Sequence, residues 1–394
     1  MTVCRPSKGI SMGPFDLKIN FRIIYSQESS TAVSSLVTEL GAERVFLVVD
    51  PGIKAVGLDR SLIKALEGEG RALSLFNRVD PNPTTDNVEQ GLAQAREFKP
   101  QIIVALGGGS AMDCAKGINI LLNRGGRLQD YAGPVIGGSA LLPLVALPTT
   151  AGTGSEVSPF LLISDSKSHA KIVIRDPKAI PTVAVLDPNL TCSLPLKATL
   201  YAGMDAMVHG FESYVAIGSQ PYTQALALQA VDLVIDNLPR VMAEPTDVEA
   251  RGSMLVAANL AGMAFNLSYL GLAHSLANAL TKDGGVPHGM AVGMMLPWVI
   301  RFNSKVVGDQ YCKLAGHVLG PRCPTETDAA LEALADFVHS FGVDLGMPAT
   351  LGEIGIQADQ IPGLVEEALR QATLKTNPRN PTPEELAALL RSAL

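Results

Sequence analysis

One aspartate and three histidines stand in stretches that otherwise read as apolar, alanine-rich helix: Asp205, His209, His274 and His288. Asp205 and His209 are four residues apart, one helical turn along the same face. His274 sits in the run GLAHSLANAL, and His288 follows the turn signal Gly284-Gly285-Val286-Pro287. A carboxylate with three imidazoles is a ligand set for a divalent transition ion such as Fe(II) or Zn(II), since both accept mixed nitrogen and oxygen donors. Taken singly, each histidine is more often an ordinary core or surface residue, and the Asp205/His209 pair a local helix hydrogen bond. Burying all four among Ala, Leu and Met is costly unless something pairs them, and a metal is the simplest partner.

Three other junctions suit a different chemistry. Gly107-Gly108-Gly109-Ser110 directly follows the apolar run IIVAL and opens a helical pattern carried by Ala111, Cys114, Ala115, Ile118, Leu121 and Leu122. Glycines let a backbone approach a pyrophosphate, and a helix amino end offers free N–H groups and a favourable dipole. The G-x-G-x-x-G fingerprint is incomplete because Met112 holds its last place, so the turn by itself is also a plain tight turn. Pro148 to Glu156 (PTTAGTGSE) offers the hydroxyls of Thr149, Thr150, Thr153 and Ser155 to phosphate or ribose, and is equally a capped helix start. Asp50 ends the run RVFLVV, where a carboxylate would accept from two ribose hydroxyls and repel a 2′-phosphate, favouring NAD over NADP. In isolation Asp50 reads first as part of an Asp-Pro-Gly turn.

These residues need elements to hold them. RVFLVV (44–49), ALSLF (72–76), IIVAL (102–106), LVAL (144–147) and VAVL (183–186) read as buried strands, with helices over about 58–70 and from Thr84 to about Phe98. Continuous apolar strands alternating with helices imply a mostly parallel sheet covered on both faces, with ligands outside the carboxyl ends of its strands. Beyond about Pro195 long helical patterns take over, at roughly 197–217, 222–238, 247–280, 290–304, 310–319, 327–341 and 360–372. The expected organisation is therefore an α/β, Rossmann-like NAD(P)-binding domain over 1–194 and an all-helical domain over 195–394 that carries the metal constellation, with substrate in the cleft between them.

Composition narrows the class. Hydrophobic residues at 47% against 18% charged exclude a disordered chain, and the net charge of -7 argues against nucleic acid or an anionic membrane as partner. No apolar run reaches the roughly 18 residues that span a bilayer, and the first dozen residues read as a loose extension without a signal-peptide core. Cys4, Cys114, Cys192, Cys312 and Cys323 are odd in number and show no CxxC spacing, which suits free thiols in a reducing cytoplasm. A slightly positive mean hydropathy points to buried subunit surface and a homo-oligomer.

Seven stretches together carry a family resemblance: DPNPT (80–84), ALGGGSAMDCAK (105–116), LPTTAGTGSE (147–156), GMDAMVHGFESY (203–214), GLAHSLANAL (271–280), PHGMAVGMMLP (287–297) and TNPRNPT (376–382). In their order and spacing the chain resembles the iron-containing, metal-dependent group III alcohol dehydrogenases, related to glycerol dehydrogenase and dehydroquinate synthase. The resemblance implies that Asp205, His209, His274 and His288 bind the ion. It also implies that Asp50, Asn82, Gly107, Gly108, Gly109, Ser110, Thr149, Thr150, Thr153, Ser155 and Lys171 line the NAD(P) site. Asp113 and Lys116, three apart on one helix, can simply pair with each other. One departure matters: family members usually carry a second histidine four residues after the third ligand, and this chain has Asn278. Asparagine hydrogen-bonds but does not titrate near neutral pH, so a proton relay there falls to water, a ribose hydroxyl or another group. A smaller departure is IIYSQESS near the amino end, where the family often has a glycine-containing turn.

The expected reaction is reversible hydride transfer between a nicotinamide, NAD rather than NADP, and a small primary alcohol, diol or aldehyde. Fe(II), alternatively Zn(II), would polarise the substrate oxygen. Asn278 leaves open a relative acting on a polar or acidic hydroxy or oxo substrate. A lyase of the dehydroquinate synthase type needs a dense basic cluster, and the metal-site helices carry little basic charge beyond Lys282. A non-catalytic NAD- or metal-binding protein fits poorly with four intact ligands.

Overall fold

The computed structural model describes residues 18–282 and 285–394, so the expected amino-terminal extension and Gly284 of the turn signal lie outside it. The described chain forms two compact units, Lys18–Leu194 joined by Pro245–Gly262, and Pro195–Glu244 joined by Met263–Leu394.

The first unit is built on strands β1 (Arg22–Tyr25), β2 (Arg44–Val49), β3 (Ala72–Phe76), β4 (Ile102–Gly107), β5 (Gly133–Pro134), β6 (Leu144–Pro148), β7 (Phe160–Ser164), β8 (Lys171–Arg175) and β9 (Val183–Leu186). Six of them form one sheet in the order β1-β9-β6-β4-β2-β3, every neighbouring pair parallel. The helices of this part are α1 (Ser29–Glu39), α2 (Pro51–Val56), α3 (Arg60–Gly68), α4 (Thr85–Phe98) and α5 (Gly109–Arg124). Alternate residues along the central strands serve opposite cores. Phe46, Val48, Ile103 and Ala105 pack with Val88, Met112 and Ile118, while Val45, Leu47, Val104 and Leu106 pack with Val33, Leu36 and Leu66. Burial on both faces is why these strands read as unbroken apolar runs.

The structure adds four strands to the five expected, the two-residue β5 among them. β1 lies at the sheet edge with Ile23 and Tyr25 exposed, and β7 and β8 pair antiparallel with one face open, Leu162 opposite Val173. Their apolar runs, within RIIY, FLLIS and KIVIR, are short and partly open to solvent. The helix expected over 58–70 is α3, preceded by the separate α2, which Gly57 ends in a left-handed conformation.

The remaining helices are α6 (Leu196–Val215), α7 (Pro221–Ala243), α8 (Val248–Ser268), α9 (Leu272–Thr281), α10 (His288–Leu319), α11 (Thr327–Asp344), α12 (Ile361–Arg370) and α13 (Pro383–Ser392). The single helix expected over 247–280 is two: Tyr269 turns left-handed at φ 66°, and α8 and α9 meet at 107°. The helices expected at 290–304 and 310–319 are the two arms of α10, which part at a kink where Val307 is non-helical (φ -119°, ψ 32°). Gly289 in the first turn of α10 packs on α6 so tightly that a Cβ there would stand 2.0 Å from the Tyr201 carbonyl oxygen.

Pro245–Gly262 belongs with the α/β unit through specific contacts. Asn259 donates to the buried Glu156 carboxylate at 3.0 Å, and a Cβ on Gly154 would lie 2.6 Å from the Gly262 Cα. Gly154 also has φ +60°, so Gly154→Ala meets both strain and a backbone clash. That variant should lose about 2 kcal/mol or more in chemical denaturation, against about 1 kcal/mol for Gly41→Ala, a left-handed position with open space around it.

Candidate active site

α6 presents Asp205 and His209 one turn apart, α9 contributes His274 in its first turn, and His288 is the first residue of α10. Ligand atoms of Asp205, His209 and His274 all lie within 4.8 Å of one another, and all three side chains are buried. The Nε2 atoms of His209, His274 and His288 stand 3.5, 3.7 and 3.8 Å from the same atom, Asp205 Oδ1. Those separations exceed a hydrogen bond. Donors about 2.1 Å from a tetrahedral ion stand about 3.4 Å apart, which is close to the spacing found. Asp205 Oδ1 and His274 Nε2 are buried and have no hydrogen-bond partner among the described residues. His288 is less enclosed than the other three, at 42% exposure, so it closes the cluster from its open side.

The rings are held firmly. His209 stacks on His274 with centroids 4.8 Å apart and meets Phe265 at 4.6 Å. Burial pushes His209 down to about 4, which keeps its lone pair free at neutral pH. Burial opposes ionisation of Asp205, but the facing His209, His274 and His288 imidazoles hold its carboxyl well below the usual range. Burial likewise lowers His274, yet the Glu212 carboxylate beside it outweighs that and raises the ring to about 9. Glu212, absent from the sequence reading, lies 2.6 Å from His274 Nδ1. Its signal was its position, three residues after His209 and seven after Asp205 on one helical face.

Asn278 follows His274 by one turn and is half-buried. Its amide nitrogen donates to Gln371 Oε1 at 3.1 Å, so its partner lies beside α12 and not among the clustered rings.

In the α/β unit the adjacent strands β2, β4 and β6 end together and bring their carboxyl-end residues into one place. Asp50 caps α2, one carboxylate oxygen accepting from the Gly52 N–H at 2.7 Å. The Asp-Pro-Gly turn is thus real, and its aspartate also stands at the carboxyl end of β2. Gly107 sits against it: a Cβ there would come within 2.9 Å of the Asp50 Cβ. Gly108 and Gly109 face Thr150 and Thr153 closely, and Thr150 Oγ1 is buried with no hydrogen-bond partner among the described residues. Ser110 Oγ donates to the Pro81 carbonyl, and Lys171 Nζ lies 3.5 Å from Asn82 Oδ1, so the turn after β3 and the start of β8 join the same group. Thr149 is buried, its N–H donating to the Gly107 carbonyl at 3.0 Å.

Ser155 is placed differently from its neighbours. Its hydroxyl donates to Asp113 at 2.8 Å and accepts from Lys116 at 2.8 Å, so it is committed within the protein. Lys116 is wholly buried and donates also to the carbonyls of Ser155, Ser158 and Phe160. Asp113 and Lys116 are 3.8 Å apart, and their larger task is tying the loop after β6 to α5.

The sequence patterns of two families match in series: iron-containing alcohol dehydrogenase over residues 20–188, and the C-terminal part of the Fe-containing alcohol dehydrogenase family over residues 199–394. Alcohol dehydrogenase 4 of Schizosaccharomyces pombe is 37% identical over 361 residues, covering 90% of this chain and 83% of that protein. The crystal structure of a 1,3-propanediol oxidoreductase aligns with a TM-score of 0.93 at 33% identity, covering 97% of this chain and 100% of that one. Sulfoacetaldehyde reductase from Bifidobacterium kashiwanohense, solved in complex with NAD+, aligns with a TM-score of 0.87 at 31% identity, covering 97% and 99%. With both halves matched and a relative this similar over nine-tenths of its length, the chain belongs to the iron-containing alcohol dehydrogenase family.

Proposed function

We propose that this oxidoreductase interconverts a small primary alcohol or diol and its aldehyde, with NAD as hydride carrier and Fe(II) held by Asp205, His209, His274 and His288. The observation that carries the reading is the pair of buried polar atoms, Asp205 Oδ1 and His274 Nε2, that stand 3.7 Å apart with no hydrogen-bond partner among the described residues. Isolated buried polar atoms of this kind are expensive, and a divalent ion satisfies both. Mixed carboxylate and imidazole ligation suits Fe(II), and Zn(II) would bind the same set.

When bound, the ion supplies a Lewis acid for the substrate oxygen, and the nicotinamide supplies the hydride acceptor or donor. The chain does the positioning. Asp205 brings the negative charge, His209 is kept neutral by burial, and Phe265 and His274 fix the His209 ring. In the α/β unit, Gly107 to Gly109 leave the backbone of the first turn of α5 unshielded by side chains, as an approaching pyrophosphate requires. Thr150 offers its unpartnered hydroxyl there. Asp50 keeps one carboxylate oxygen for its own turn and has the other for ribose, which favours NAD over NADP. Cys114 and Cys192 are free thiols, in keeping with a reducing compartment such as the cytoplasm. A homo-oligomer, dimer or larger, accords with the hydrophobic balance of the chain.

Three measurements test this. Asp205→Ala and His274→Ala should each lose bound metal by elemental analysis and lower kcat/KM by about three decades or more, because Lewis-acid stabilisation amounts to several kcal/mol. Full activity in a metal-depleted variant would sink the proposal. Asp50→Ser, which retains a capping hydroxyl, should raise the NADP-to-NAD ratio of kcat/KM about tenfold or more. An unchanged ratio removes Asp50 from the ribose site. Metal affinity should rise with pH: His274 is raised to about 9, so below that value a proton competes for Nε2. One competing proton means about a tenfold gain per pH unit between pH 6.5 and 8.5 in chelator-competition titrations.

A further inference from the structure

α9 begins without a side-chain cap of its own. Its N-cap residue is Gly271, and the first N–H groups of a helix have no intrahelical acceptors. Two side chains brought from elsewhere in the helical unit satisfy them. Glu212 of α6, 3% exposed, accepts from Gly271 N at 3.0 Å through Oε2 and from Ala273 N at 2.6 Å through Oε1. Asn377 accepts from the intervening Leu272 N at 3.1 Å and pairs through its amide with Asn303. Glu212 alone makes one more contact, from Oε2 to His274 Nδ1 at 2.6 Å.

From this geometry, and resting on the metal reading above, we infer that Glu212 is a positioning residue for the metal: it anchors the first turn of α9 and sets the tautomer of His274. An ionised carboxylate only accepts hydrogen bonds. Its partner Nδ1 therefore carries a hydrogen, and Nε2, facing Asp205, is left as the ring atom for which a metal and a proton compete. Backbone and ring are held by the same group, so His274 can neither rotate nor slide without breaking contacts to Glu212. The buried negative charge also lies where the helix dipole favours it. α6 thus contributes to the centre twice, by supplying Asp205 and His209 and by fixing the ligand that comes from α9. Similar carboxylate partners behind metal-bound histidines orient the ring and raise its basicity.

The test compares Glu212→Gln with Asn377→Ala in the full chain. In the glutamine variant the amide nitrogen must face either the Ala273 N–H, or the Gly271 N–H together with the His274 ring. The second arrangement donates to Nδ1 and turns the Nε2 hydrogen toward Asp205. Zn(II) affinity measured by chelator competition should fall roughly 10- to 100-fold in Glu212→Gln. Asn377→Ala removes a cap from the same helix turn and leaves the imidazole contact, so it should lower the thermal midpoint yet hold Zn(II) nearly as tightly as the parent. Equal losses of affinity in both variants, or none in Glu212→Gln, overturn the inference. If Glu212→Gln does not fold, Glu212→Asp takes its place: one methylene shorter, it cannot span both N–H groups and the ring, and undiminished affinity in it is equally fatal. Failure of the parent protein to bind any divalent transition ion would instead remove the metal reading itself.

Discussion

A carboxylate oxygen buried in a helical core, with no hydrogen-bond partner among the described residues, is the constraint on which the helical unit turns. Asp205 Oδ1 faces three imidazole nitrogens at 3.5 to 3.8 Å, near enough to interact and too far to bond. Such an arrangement persists only if the surrounding backbone over-determines it. The controls are visible: α6 is unbroken from Leu196 to Val215, α9 is set at 107° to α8 by the left-handed Tyr269, and Gly289 lets α10 start directly on the Tyr201 carbonyl. α6 places Asp205 and His209, α9 places His274, and α10 places His288. The alanine-rich composition serves the same end, since small residues let helices approach closely enough for short His and Asp side chains to meet.

The α/β unit solves a different problem, presenting backbone and hydroxyl groups at the ends of a parallel sheet while keeping the loops rigid. Its answer is a buried charge network. Lys116 and Asp113, both on α5, grip Ser155 and the backbone from Ser155 to Leu162. A lysine taken wholly out of water is expensive unless every proton finds an acceptor, and here more acceptors than protons are offered. The helix that carries the glycine turn therefore also fixes the threonine loop opposite it, so the two candidate cofactor segments are held as one piece.

Much of this was legible in the chain itself. Central strands buried on both faces announce themselves as apolar runs, as β2, β4, β6 and β9 do, and the edge strand β3 is apolar enough in ALSLF to be legible as well. Edge strand β1 and the hairpin β7–β8 were not legible, although RIIY, FLLIS and KIVIR each hold a short apolar run; runs of three or four residues flanked by polar residues do not by themselves mark a strand. Most helices were plain, though not α1 or α13, whereas the break between α8 and α9 was not: nothing in the local propensity of Tyr269 demands a positive φ, and the acceptors that hold the new helix start are Glu212 and Asn377, distant in sequence.

The same division runs through the site. Residue types and spacing by themselves identified Asp205, His209, His274 and His288 as one constellation, since polar side chains stand out against apolar helix and their chemistry is a local property. Only the tertiary structure decided which atoms converge, that His288 is the least enclosed of the four, that Ser155 is spent on an internal clamp, and that Asn278 bonds toward Gln371. It alone revealed Glu212 behind His274. Burial, distance and hydrogen-bond saturation are properties of atoms that meet across more than sixty residues of chain, and a one-dimensional pattern does not carry them.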